Sequence, residues 1–146
     1  MYLQWVKELL KEKGQVLMLV PEINLTPQLE ASVKAALTGV EMATLHSGLS
    51  ERVRADNWAN ILRGQAQVIL GTRMSVMCPA PNLKAIIVDE EHDLSYKQQE
   101  GSRYSARDLA IWRANRLQIT GLLVSATPSL ETWNQVKKGR YKKLEI

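Results

Sequence analysis

Residues 85 to 93 read AIIVDEEHD, an aliphatic run that closes on Asp89, Glu90, Glu91, His92 and Asp93. Carboxylates packed this closely repel one another unless a cation lies among them. Mg²⁺ suits such a place, because it takes carboxylate oxygens, keeps several waters and bridges to phosphate groups. Asp89 is then the acid that holds the metal, and Glu90 the group that orients or deprotonates an attacking water. For an isolated DEE the plainer reading is an exposed acidic turn. Only the company that other segments bring to the same place separates the two.

The elements that must position these acids follow from periodicity. Leu3, Val6 and Leu10 share one helical face, with Lys7, Glu8, Lys11 and Glu12 elsewhere, which predicts a helix over 2–13 stopped at Gly14. QVLMLV (15–20), closed by Pro21, has the pattern of a strand buried on both faces. A second helix is predicted with Thr26 as cap, Pro27 at its first position and Leu29, Val33, Ala36 and Leu37 on one stripe. MATLHSG (42–48) reads as a strand and loop, followed by a helix from about Ser50 to Leu62. QVIL (67–70) and KAIIV (84–88) are further strands, separated by GTRMSVMCPAPN, whose two prolines and lack of periodicity predict a loop or short turns. His92 to Tyr104 reads as a loop. Next come a helix from about Ser105 to Arg116, a strand GLLV (121–124), a helix starting at Thr127 and Pro128, and a last short strand near Lys143.

This alternation predicts one α/β domain built on a doubly wound, mostly parallel sheet. Ligands of such sheets bind beyond the carboxyl ends of the strands. In chain order those ends carry PEINLTPQ, HSG, GTR, DEEHD and SATPS, all of them polar.

The 146 residues, 45% of them hydrophobic, suffice for one buried core. Lys and Arg outnumber Asp and Glu by 19 to 15, and the pI is near 9.3, a mildly basic balance compatible with a polyanionic partner. Cys78 is the only cysteine, which excludes an internal disulfide and a cysteine-rich metal site and predicts a reducing, intracellular setting. No apolar run approaches bilayer-crossing length, and the N-terminus reads as an amphipathic helix rather than a signal peptide, so the expected location is the cytoplasm, with no membrane partner.

Taken in order, the motifs carry a resemblance. Asp89 to His92 resemble the DExH form of the acidic motif of superfamily 2 helicases. LVPEINLTPQ, LHSGLS, GTR, IIVDEEHDLSYKQQEG, RYSARDLA and SATPSLE, spread over nearly the whole chain, resemble the primosomal replication-restart DNA helicases. The resemblance implies the first RecA-like lobe, of P-loop NTPase type, in an ATP-driven motor that unwinds DNA 3′ to 5′ at stalled forks. It implies ATP and Mg²⁺ as cofactors, single-stranded and forked DNA as partners, and other primosome proteins besides.

Residue by residue, it makes Asp89 the Mg²⁺ ligand and Glu90 the activator of the hydrolytic water, with His92 linking the nucleotide site to the DNA side. Ser125, Ala126 and Thr127 would couple hydrolysis to strand separation, although Thr127 also reads as a helix cap. Pro21, Glu22, Thr26, Thr72 and Arg73 would lie along single-stranded DNA, making phosphate contacts that set position without reading sequence. Tyr96 and Tyr104, the aromatics this loop retains, would stack on bases more weakly than the family's more aromatic loop, and Arg103 and Arg107 would grip phosphate. Taken alone, Arg73, Arg103 and Arg107 are ordinary surface charges. His46 either touches DNA or is a hydrogen-bonded, packed histidine. Trp5, Trp58, Trp112 and Trp133 fall in predicted helices and read as core or interface residues.

The chain also departs from the family pattern. No GxxxxGK followed by Ser or Thr occurs, so the phosphate-cradling loop and its strand are missing. In the family they lie just upstream of a helix like Tyr2 to Lys13, and Met1 reads as a start placed after them by truncation. The second motor lobe with its arginine finger, the N-terminal DNA-binding domain and the zinc-binding cysteines of the parent are missing too, so no zinc ligands are expected here. Residues 1–146 are therefore expected to be a partial helicase ATP-binding domain, inactive alone and prone to self-association through an unpaired sheet edge. Two rivals remain: a single-stranded DNA-binding or interaction module without ATPase activity, and a receiver-like Mg²⁺ domain using Asp89, Glu90 and Glu91 alone. The latter leaves GTR and SATPS unexplained.

Overall fold

A computed structural model describes residues 2–98, 101 and 103–145 of the chain. Five strands, Gln15–Leu19 (β1), Met42–Leu45 (β2), Val68–Gly71 (β3), Leu83–Asp89 (β4) and Thr120–Val124 (β5), form one sheet in the order β2-β3-β1-β4-β5. Every pairing is parallel. The helices are Tyr2–Leu10 (α1), Pro27–Ala36 (α2), Glu51–Leu62 (α3), Ala106–Leu117 (α4) and Leu130–Lys137 (α5).

The central strand β1 is buried along its whole length, as its unbroken apolar run predicts. Its one polar side chain, Gln15, is 1% exposed and fully employed. Its amide donates to the carbonyls of Ile61 (2.9 Å) and Ala66 (2.8 Å), and its oxygen accepts the Asn82 N–H at 3.0 Å. This fixes the amino ends of β1, β3 and β4 relative to the end of α3, because a buried amide left unpaired costs about 1–3 kcal/mol.

Parallel strands need right-handed crossovers, so the direction of each move along the sheet decides which face its helix covers. From β1 the chain moves out to β2 through α2, then returns through α3, which places these helices on opposite faces. Val6 and Leu10 of α1 join Val33 and Leu37 over Val16, Met18, Val68, Leu70, Ala85 and Ile87 on one side. Ile61 of α3 and Ala106, Ala110 and Ala114 of α4 pack with Leu17, Leu19, Ile69, Ile86 and Val88 on the other. The chain leaves β1 in one direction and β4 in the other, so the crevice between their carboxyl ends is the switch point of the sheet.

Helix starts match the capping residues in three cases: Thr26, Ser50 and Ser105 accept the N–H groups of Leu29, Val53 and Asp108. The last helix departs from expectation. Ser125 Oγ accepts the Thr127 N–H at 2.9 Å, a local turn that holds 125–127 out of helical geometry, and Ser129 is the cap of α5. Thr127 is not a cap.

The GTR segment ends β3 at a close approach. A Cβ on Gly71 would run into Ser75 Oγ and lie 3.0 Å from the Leu45 carbonyl, so only glycine fits there. Arg73–Met77 then forms a short 3₁₀ turn, which Arg113 of α4 pins by donating to the carbonyls of Val76 (2.9 Å) and Cys78 (2.7 Å).

One further expectation fails and another is narrowed. No strand follows β5 among the described residues; instead the Lys143 ammonium lies 4.9 Å from the Trp133 ring centre and pairs with Glu145. Of the two readings for the tryptophans, core or interface, the core reading is removed for Trp58, Trp112 and Trp133, exposed by 39%, 54% and 38%, whereas Trp5 packs against the α1 and α2 cluster. In α4 the buried positions include small residues such as Ala110 and Ala114, with Trp112 on the outer side.

β5 is an edge strand whose Thr120 and Gly121 are exposed and whose last three residues are half-buried. An unpaired row of N–H and C=O groups beside apolar side chains is a template for another strand. The isolated chain is expected to self-associate through this edge. Light scattering over a concentration series should show species larger than a monomer; a monodisperse monomer with a sharp cooperative melt would overturn the expectation.

Candidate active site

The switch-point crevice is closed from behind by Tyr96, 1% exposed, whose hydroxyl lies between the last carbonyls of two neighbouring strands, Leu19 of β1 (3.1 Å) and Asp89 of β4. A phenol at this point satisfies carbonyls that the ladder no longer pairs. Directly above it, Asp89 is half-buried. Its Oδ1 accepts the Glu90 N–H and its Oδ2 accepts the Tyr2 hydroxyl from α1, both at 3.0 Å. Burial, then the Asp89 charge, pushes the Tyr2 phenol well above the ordinary tyrosine range, so the hydroxyl remains a donor. Tyr96 is raised in the same direction, first by burial and then by Asp89.

The three acids, adjacent in sequence, meet three different environments. Glu90 sits at φ +49°, a left-handed conformation unusual for a residue with a side chain, and this turn carries its half-buried carboxylate beside His92. Glu90 Oε2 is 3.4 Å from His92 Nε2, while His92 Nδ1 is 2.6 Å from Ser125 Oγ at the end of β5. Glu91 is buried with 2% exposure and points away, under α4 and α5. It accepts the Ser129 N–H (2.7 Å), the Ser129 and Thr132 hydroxyls (3.0 and 2.9 Å) and the Arg107 guanidinium (3.3 Å).

The structure thus brings Asp89, Glu90, His92 and Ser125 to one sheet edge, with Ala126 and Thr127 exposed just beyond. Glu22 and Thr26 lie in the turn after β1, joined to the turn after β2 by the Ser47 hydroxyl, 3.5 Å from Glu22 Oε1. His46 accepts the Gly48 N–H at 3.1 Å, the hydrogen-bonded alternative for that residue. Arg73 donates to the carbonyls of Ser95 (3.3 Å) and Lys97 (3.4 Å), tying the turn after β3 to the segment after the acids. Arg103 is exposed and Tyr104 half-buried.

Three assigned residues are placed otherwise than expected. Pro21 is buried, and Thr72 is 1% exposed with a hydroxyl that has no partner among the described residues, so neither offers its side chain to a surface ligand in this conformation. Arg107 is 7% exposed and committed to Glu91, Ser129 and Asp108, so it is an internal clamp rather than a phosphate grip. Burial works against its charge, but Asp108 and Glu91 outweigh this and raise its pKa. Tyr96, expected on the base-stacking loop, is instead buried beneath the acids, and Tyr2, Ser129 and Thr132 belong to the site although nothing in the sequence marked them. Their residue types are common on helices, and only their contacts across the chain distinguish them.

Mg²⁺ fits this donor set in one way. No group of three His, Cys, Asp or Glu that could hold a metal occurs among the described residues, which does not suit a caged ion. Mg²⁺ bound by one or two carboxylates and completed by waters and phosphates suits Asp89, whose two oxygens each keep lone-pair capacity beyond the single bond they accept.

A parallel sheet with an acid pair at its switch point, linked through His92 and Ser125 to the next strand end, is a RecA-like α/β domain of the helicase type. The C-terminal domain of S. cerevisiae Dbp5 shares the fold at a TM-score of 0.61, with 15% identity over 96% of this chain and 79% of that one. The C-terminal part of the Fun30 ATPase domain does so at 0.55, with 14% identity over 98% of this chain and 46% of that one. The chain belongs to the DEAD/DEAH box helicase family, whose model matches residues 1–136. Replication restart protein PriA of Haemophilus influenzae is 49% identical over 99% of the chain, and that of Bacillus subtilis is 41% identical over 99%. The chain spans 20% and 18% of the length of those relatives.

The raised phenol pKa values set a pH dependence. Below the ordinary tyrosine value, about 10, Tyr2 and Tyr96 are protonated folded or unfolded and contribute no slope. Above it the unfolded chain releases protons that the folded chain keeps, so stability falls as pH rises. Urea unfolding at a series of alkaline pH values should show this fall, shallower in Tyr2→Phe; an equal slope in both proteins would overturn it.

Proposed function

We propose that residues 1–146 form part of the first RecA-like motor lobe of an ATP-dependent DNA helicase that moves 3′ to 5′ and restarts replication at stalled forks. The observation that carries this reading is the His92 Nδ1 to Ser125 Oγ contact of 2.6 Å, beside Asp89 and Glu90. It links an acid pair suited to metal-assisted phosphate chemistry to the loop after the next strand. Membership of the DEAD/DEAH box family and the likeness to proteins named for replication restart support the same reading.

Bound Mg²⁺ would neutralise charge developing on the ATP phosphates, and Asp89 would hold it. Tyr2 and the Glu90 N–H orient the Asp89 carboxylate for that task. Glu90, half-buried and close to His92, is placed to orient an attacking water and take its proton. His92 bridges Glu90 and Ser125, so a shift at either end is felt at the other. Glu22, Thr26, Arg73, Arg103 and Tyr104 form the DNA side. Arg73 carries positive charge there while bracing the segment 95–97.

The full-length protein should hydrolyse ATP in a DNA-dependent manner, and Glu90→Gln should lower that rate by about 10²–10⁴-fold, the contribution of a positioned base. The isolated chain, without a phosphate-cradling loop, should release no phosphate. Turnover by the isolated chain that Glu90→Gln abolishes would refute its inactivity. Full-length protein that binds single-stranded DNA yet never hydrolyses ATP would favour a binding module instead.

Arg73→Ala should weaken single-stranded DNA binding across all sequences and reduce the salt slope by about 1, as loss of one phosphate contact does. Anisotropy titrations over a salt series measure both. An unchanged slope would remove Arg73 from the interface.

A further inference from the structure

The three acids of DEEH differ in what they have left to offer. Asp89 and Glu90 are half-buried and keep acceptor capacity. Glu91 has none. An ionised carboxylate accepts about four hydrogen bonds, and Glu91 receives one at Oε1, from the Ser129 N–H, and three at Oε2, from Ser129, Thr132 and Arg107. Its side chain is 1% exposed, so neither a metal ion nor a water can reach it without breaking these bonds.

Its donors come from two separate elements. Arg107 lies in the first turn of α4, three residues after Tyr104, while Ser129 and Thr132 form the start of α5, which follows the Ser125 to Thr127 turn. Arg107 Nη1 also donates to Ser129 Oγ at 2.9 Å, closing the network between the two helices. The Glu91 N–H, in turn, donates to the Val124 carbonyl at 3.0 Å, fastening the same residue to the end of β5. Glu90 and His92 flank this anchored residue.

We infer that Glu91 is a positioning residue for hydrolysis. Its buried carboxylate holds the acid turn, α4 and the SATPS segment in one register, which keeps Glu90 and the His92–Ser125 contact in place. This rests on the helicase reading above. Removing one member of a buried charge pair leaves the other uncompensated, whereas removing both relieves that penalty. Positioning and mere stability can therefore be separated.

The test uses the full-length protein and compares Glu91→Gln with the double variant Glu91→Gln/Arg107→Met, reading kcat and KM for DNA-stimulated ATP hydrolysis alongside the thermal midpoint. Glu91→Gln should lower kcat by about tenfold or more, with KM for ATP changed by less than about twofold, the split expected when catalytic geometry is lost and substrate binding is not. The double variant should recover the midpoint but not kcat. A kcat within twofold of wild type in Glu91→Gln, or a kcat that recovers together with the midpoint, would overturn the positioning role while leaving the helicase reading intact. Absence of DNA-stimulated hydrolysis in the wild-type protein would instead overturn the helicase reading, and the positioning role with it.

Discussion

A carboxylate taken out of water costs several kcal/mol unless donors replace the water it loses. Glu91 meets that demand with bonds from α4 and α5, and much of the site geometry follows from it. Because its carboxylate faces inward, the turn at Glu90 must reverse sharply, and the left-handed backbone there directs the Glu90 side chain the other way. Ser129, bonded to Glu91, caps α5, so the helix begins there and not at Thr127, and Ser125 Oγ, which holds the Thr127 N–H, also meets His92. One buried charge thus separates the neighbouring acids into an anchor and a working pair.

The sheet places this turn where it can act. The chain leaves β1 and β4 in opposite directions, so their carboxyl ends bound the switch point of the strand order β2-β3-β1-β4-β5. Tyr96 seals the base of that crevice and Tyr2 reaches it from α1. Both phenols are held in their donor form by burial and by Asp89; Tyr2, with the Glu90 N–H, orients the carboxylate, Tyr96 holds the Asp89 backbone carbonyl, and no cation among the described residues pairs with the carboxylate. A carboxylate in that condition is suited to a bound divalent cation.

Much of this was legible in the residues. Short apolar runs located the strands, most clearly the central ones, which are covered on both faces and therefore almost wholly apolar. Thr26, Ser50 and Ser105 marked helix starts because a hydroxyl beside unpaired N–H groups acts locally. The acid pair and its companions at the strand ends were visible for the same reason, as each motif is contiguous. The last strand near Lys143 is not realised among the described residues: the lysine instead packs on Trp133 and pairs with Glu145, contacts that its sequence does not announce.

What the chain by itself determined was the class of fold, the location of the acids at a strand end, and the presence of hydroxyl, amide and cationic groups at the neighbouring ends. These depend on periodicity and on bonds between residues a few positions apart. Only tertiary structure decided which acid works and which anchors, that Arg107 is an internal partner and not a surface cation, that Thr72 is buried, and that Tyr2 touches Asp89 from 87 positions away. The reason is that burial and long-range hydrogen bonding follow from how helices settle on the sheet. Three consecutive acids, alike in sequence, differ only in which donors the folded chain brings to them.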